Sequence, residues 1–102
     1  MPEFSLTLVT PEGTAFDGPA DALTAPGQLG SFGLLAHHAP MIAGLKPGIM
    51  TVTRGTETSW FAVGEGVLEV SVGNQVTVLV DVAQTASGRQ EADQLLVSRN
   101  AK

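Results

Sequence analysis

Cysteine is absent from the 102 residues, and its absence removes disulfides, thiolate nucleophiles and cysteine-ligated zinc, while leaving a reducing compartment allowed. No run approaches the roughly 18 uninterrupted apolar residues that cross a bilayer. The opening MPEFSLTL has neither the basic start nor the long apolar run of a secretory leader. Basic residues are scarce: five Lys and Arg stand against ten Asp and Glu, a formal charge of −5, with no basic cluster. Phosphate backbones and anionic headgroups are therefore repelled, which argues against nucleic acid as a partner and against direct membrane binding. With 15% charged and 43% hydrophobic residues, the chain reads as one ordinary globular domain with one core.

What is present is mostly strand. Phe4, Leu6 and Leu8 alternate with Ser5 and Thr7, and Val76, Val78, Val80 and Val82 alternate with Thr77 and Asp81, the period of half-buried strands. Weaker β-branched and aromatic runs fall at Ala20–Ala25, Ile49–Arg54, Thr58–Val63 and Val67–Val72. Pro11 with Gly13, Gly55, and Gly73-Asn74 punctuate them as antiparallel turns. Twelve glycines and six prolines, so spaced that no apolar run lasts long, fit a small mainly β sandwich or barrel better than an α/β domain. After Ala83 the texture changes. Ser87 and Gln90 have capping-box spacing, and Ala92, Leu95, Leu96 and Arg99 follow at helical intervals. The division expected is a β domain over 1–84 and a short helical segment over 85–102. A helix of that length is marginal alone, so it packs on the sheet, pairs with a partner, or frays.

Catalytic chemistry finds little support. Between Leu29 and Pro40 the chain reads LGSFGLLAHHAP; adjacent histidines in a strand would point to opposite faces, whereas ligands on one strand converge at i, i+2. His37 and His38 are thus expected to be structural or interfacial, and no metal is assigned. Ser31 lacks the G-x-S-x-G spacing of a nucleophile elbow and is expected in a loop. Gly27, Gly30 and Gly33 are followed by no lysine and open no helix, so they make no phosphate cradle. Glu65 and Glu69 fit a solvated face. No cofactor and no catalytic residue is assigned.

The stretch PGQLGSFGLLAHHAPMIAGLKPG, Pro26 to Gly48, resembles the epsilon subunit of rotary ATP synthases. The pattern is carried by Pro26, Gly27, Gly30, Phe32, Gly33, Leu34, Leu35, His38, Pro40, Lys46, Pro47 and Gly48. LVTPEGTAFDGPAD (Leu8–Asp21), FAVGEGVLEV (Phe61–Val70) and NQVTVLVDVA (Asn74–Ala83) continue it in order. Ala36, Glu65 and Val67 depart from the usual pattern. The resemblance implies an antiparallel sandwich of about ten strands followed by one short helix, and a non-catalytic central-stalk subunit that couples ion-driven rotation to ATP synthesis. It implies as partners the gamma subunit and the c-ring, and indirectly alpha and beta. Membrane contact is then made only through the complex, on the cytoplasmic face of a bacterial inner membrane or the equivalent organellar face. By match to family positions, Thr10, His38, Ala43 and Gly64 are expected at gamma, and Gly30, Ser31 and Phe32 at the c-ring. Many members carry a carboxylate where Ser31 stands. Asp93 and Arg99 do not reproduce the nucleotide-binding pattern of some members, I/L-D-x-x-R-A. A helix of the span Ser87–Lys102 reaches only about 24 Å, so it is expected to couple without inhibiting hydrolysis. The rival expectation is a stand-alone sandwich that binds a ligand or another protein.

Overall fold

The computed structural model describes residues 2–100, and side chains over 2–98; the helical position expected for the Arg99 side chain, and residues 101–102, lie outside the described residues. Ten strands precede one helix: β1 (Phe4–Thr10), β2 (Gly13–Ala20), β3 (Ala22–Gly27), β4 (Gly30–Leu35), β5 (Met41–Leu45), β6 (Gly48–Arg54), β7 (Glu57–Val63), β8 (Gly66–Ser71), β9 (Gln75–Val80), β10 (Ala83–Ala86) and α1 (Arg89–Asn100). β2, β4, β5 and β10 are strands that the residue pattern alone did not separate. Ser31 lies within β4, paired with Pro26 rather than in a loop. The sheet also extends two residues past 84, because β10 completes the open edge of β7, from Ala83↔Val63 to Ala86↔Trp60.

The strands form one hydrogen-bonded path, β10-β7-β6-β3-β5-β8-β9-β1-β2, with β4 on the other edge of β3. Between β3 and β5 that path narrows to a single pair, Gly27↔Leu45, flanked by Gln28 N–H to Gly44 O at 3.0 Å and Lys46 N–H to Pro26 O at 2.9 Å. The sheet folds over at this point, so β4, β3, β6, β7 and β10 face β5, β8, β9, β1 and β2 across one core. β1 and β9 run parallel, from Ser5↔Gln75 to Val9↔Leu79; all other pairs are antiparallel. Alternation decides the filling: Phe4, Leu6, Leu8, Leu23, Leu45, Met50, Val52, Phe61, Leu68, Val76 and Val78 point inward and are buried.

Two connections cross at one corner. Gly64 N–H donates to Val82 O and Asp81 N–H to Glu65 O, both at 3.0 Å. This exchange ends β9 at Val80, before the expected Val82. At the opposite end β8 and β9 are joined by Val72, Gly73 and Asn74, with Asn74 in the left-handed region at φ 65°. The Asn74 side chain accepts the His37 N–H at 2.7 Å and donates to Glu3 O at 2.5 Å, fastening three separate segments. An N74A variant is expected to lose about 2–3 kcal/mol, from two hydrogen bonds and a disfavoured φ. N74G keeps the φ and is expected to lose less. Urea unfolding of the three proteins checks the order.

α1 lies on the outside of the sheet, over β7, β10 and β6. Its seat is made of small residues: Ala92 and Ala62 are wholly buried and Ala86 nearly so, which brings the helix close to the strands. The expected cap is displaced by one residue. Gly88 O accepts the first helical bond, from Ala92 N–H at 3.0 Å, and Glu91, not Gln90, reaches back to the Ser87 N–H at 2.7 Å.

Candidate docking face

The residues expected at gamma do not gather into one spot. Thr10 ends β1, half-exposed, beside the Gly64–Asp81 corner. Gly64 itself is buried, because the Asp81 carboxylate occupies the space where a Cβ would stand. Ala43 sits in the middle of β5, half-buried. His38 is exposed at the far end, in the link from β4 to β5 near Asn74. Since Ser5 pairs with Gln75 at that end and Thr10 lies five residues along β1, the set spans about 16 Å of strand.

The histidines are not in a strand. β4 stops at Leu35, and His37 takes φ 66° to turn the chain toward β5. His38 Nδ1 lies 2.7 Å from the carbonyl of Ala39, so a proton on Nδ1 is held by the local backbone. Among the described residues, no three His, Asp or Glu side chains come together as a metal site. Ser31 is exposed on β4, Gly30 opens that strand at φ 131°, and the Phe32 ring packs against the core. The tip between β3 and β4 is Gln28-Leu29, and Leu29 is fully exposed.

Between these scattered positions lies the outer face of β5, β8, β9, β1 and β2, which Ala43, paired with the buried Leu68, does not share. Register aligns Gly44, Val67, Leu79 and Val9 in one row across four strands. The next row runs Ile42, Glu69, Thr77, Thr7 and Asp17. Ile42 is 72% exposed, Leu79 52% and Val67 42%. Alternation in the sequence marks the inward valines and not these residues; Leu79 stands at the outward parity that Gln75 and Thr77 fill with polar groups. That misplaced leucine was the available signal. Neighbouring apolar side chains on a solvent-facing sheet mark an interaction surface. Its charges are acidic, Glu69 and Asp17, and Thr7 Oγ1 lies 3.5 Å from Asp17 Oδ1.

The family described as ATP synthase, Delta/Epsilon chain, beta-sandwich domain, matches residues 3–86. The chain belongs to that family. Among relatives, the ATP synthase epsilon chain of Acidithiobacillus ferridurans is 39% identical over 95 residues, covering 93% of this chain and 67% of the relative. The epsilon chain of Rhodopseudomonas palustris is 46% identical over 86 residues, covering 84% and 63%. The chain thus spans a little under two thirds of the length of the latter. In fold this delta/epsilon-family chain is similar to a chain of the Euglena gracilis mitochondrial ATP synthase, a structure that includes the c-ring, with TM-score 0.78 at 24% identity, covering 100% of this chain and 67% of that one. A chain of the Tetrahymena thermophila mitochondrial ATP synthase central stalk and c-ring gives 0.69 at 13%, covering 98% and 91%. Ten strands and a C-terminal helix agree with the architecture expected of the family.

Proposed function

We propose that this delta/epsilon-family chain is a non-catalytic central-stalk subunit of a rotary ATP synthase, fixing the gamma subunit to the c-ring so that ion-driven rotation reaches the alpha and beta subunits without slip. The observation that carries the reading is the apolar row Val67, Leu79 and Val9 with Ile42 beside it, on a sheet face that a monomer would cover with polar residues. Gamma is the occupant, by family membership. Thr10 and His38 border the row's strands at either end, Ala43 stands on β5, which β3 pairs only at Gly27↔Leu45, and Gly64 shapes the corner beneath Thr10. The acidic Glu69 and Asp17 favour basic groups on the partner. Attachment to the membrane is peripheral, through the ring, on the cytoplasmic or equivalent organellar face. The sheet unit carries this docking, and the short helical segment is an accessory to it. Mixing the chain with purified cognate gamma subunit is expected to give a one-to-one complex by light scattering; separate elution of the two at micromolar concentration would overturn the reading.

The β3–β4 hairpin, with Gly30, Ser31 and Phe32, is assigned to the c-ring. Its tip is neutral, since Leu29 and Ser31 stand there without a carboxylate. Docking on the ring is therefore expected to change little between low and moderate salt, because no tip charge is available to be screened. Co-sedimentation with ring-containing membranes across a salt series checks this, with gamma binding followed in parallel.

A further inference from the structure

The tip of the β3–β4 hairpin is not a free loop. β3 leaves β6 after Thr24↔Thr51 and closes on β4 at Gly27↔Gly30, so the chain from Ala25 to the tip has no pairing on β6. Instead the hairpin is fastened to β5 on both sides of Gly27↔Leu45: Gln28 N–H donates to Gly44 O at 3.0 Å and Lys46 N–H to Pro26 O at 2.9 Å. Missing Cβ atoms let the two segments close. A Cβ on Gly44 would meet the Gln28 side chain at 2.8 Å, one on Gly27 the Phe32 ring at 2.8 Å, and one on Gly48 the Pro26 ring at 2.5 Å. Pro26, Gly27, Lys46 and Gly48, all of them in the family pattern, thus meet at one joint that the docking row does not use. The joint nevertheless opens onto that row: Gly44, which holds Gln28, pairs with Val67, Val67 with Leu79 and Leu79 with Val9.

We infer that this joint is a brace: Gly48, by leaving room for the Pro26 ring, and Gly44, by leaving room for Gln28, hold the hairpin tip rigidly to the sheet face that docks gamma, so that ring and gamma cannot shift against one another within this subunit. The inference rests on the docking reading above. Both glycines act as positioning residues, since they work through the segments they let close. A hairpin that twisted about its base would absorb part of each ring step as bending. Here that motion requires breaking two backbone hydrogen bonds and unpacking the buried Pro26, Gly27 and Leu45, a local unfolding whose free energy rises with the buried bonds and contacts it opens. Close-packed interiors yield little and pass displacement on. Tip and row thereby move as one body.

The test begins with amide hydrogen exchange, followed by NMR, on the wild-type chain. The Gln28 and Lys46 amides are expected to exchange at least about a hundredfold more slowly than that of Leu29, which is fully exposed at the same tip. Equal rates would overturn the brace, and this comparison needs no variant to fold. Gly48→Ala then drives a methyl against the Pro26 ring, on the β6 side and away from the apolar row. Expected are exchange at Gln28 and Lys46 at least about tenfold faster with Val78 unchanged, and gamma affinity as in the wild type. In a rotary ATP synthase depleted of this subunit and reconstituted with the variant, ion-driven ATP synthesis should fall severalfold at unchanged ATP hydrolysis. Pro26→Gly/Gly48→Ala, which takes the opposing Cβ away, is expected to restore much of both exchange protection and synthesis. Unchanged exchange in Gly48→Ala would take Gly48 out of the brace, and full synthesis with a loosened tip would show that rigidity at the joint is not what transmits rotation. Absence of gamma binding by the wild type would instead overturn the docking reading, and the coupling role with it.

Discussion

Replacing Leu79 with aspartate is expected to weaken gamma binding by about 3–4 kcal/mol, several hundredfold, while leaving the domain folded. Leu79 is 52% exposed and flanked by Val67 and Val9 in the row that spans the outer face. Truncating an interface centre costs about 2–4 kcal/mol, and a charge placed there must also be desolvated without a partner. The local field makes this worse, since Glu69 and Asp17 in the neighbouring row already carry negative charge. Stability should fall by no more than about 1 kcal/mol, the span of strand propensity at a half-exposed site. Val97→Asp is the control: Val97 is 66% exposed on α1, which lies over β7, β10 and β6. Calorimetric titration beside thermal melting separates the two effects. Equal affinities for L79D and wild type would place the gamma site elsewhere.

Gly66→Ala is expected to be the most destabilising single methyl in the molecule. Gly66 opens β8 opposite Val80, and a Cβ there would collide with the carbonyl oxygen of Leu79 and approach the Val80 Cα to 2.7 Å. Both neighbours are backbone, so no side chain can swing aside. Relief requires β8 and β9 to separate where the Asp81 N–H to Glu65 O bond and the buried Leu68 and Val80 depend on their spacing. Overpacking of this kind costs about 3 kcal/mol or more. For a domain of this size, a loss of 1 kcal/mol lowers Tm by about 4–8 °C, so a fall of at least about 12 °C is expected. Gly33→Ala is the contrast, because the nearest atom to its Cβ is Leu23 O at 3.7 Å and the melting temperature should barely move. A G66A protein melting with the wild type would show that the strand ends yield more easily than their pairing implies.

The inward residues were the legible ones. Phe4, Leu6 and Leu8, and Val76, Val78 and Val80, alternate strictly, and every one of them is buried, because a two-residue period fixes which side chains share a face. Turn positions were legible for a related reason: Gly13, Gly55, Gly73 and Asn74 all take positive φ, which glycine and asparagine tolerate and most residues do not. Short strands were harder. β10 carries Ala-Gln-Thr-Ala and is a strand only because β7 offers it an open edge, a fact of pairing and not of propensity. Nothing local announces that His37 takes the left-handed region; the Asn74 side chain, 37 residues away, accepts its N–H.

By itself the sequence determined a charge that repels nucleic acid, the absence of thiol chemistry, two alternating strand patterns, and family motifs whose glycines and prolines fall at fixed spacing. Each of these depends on residue identity or on near neighbours, so no fold is needed to read it. Tertiary structure decided which residues stand together. Val9, Ile42, Val67 and Leu79 are separated by 70 positions from first to last, and only the register of β5, β8, β9 and β1 sets them side by side. The same holds for the brace, where the fold-over at Gly27↔Leu45 lays the β3–β4 hairpin against β5. Strand pairing is a long-range choice made by the packing of the whole core, and a surface assembled from several strands comes into being only when that choice has been made.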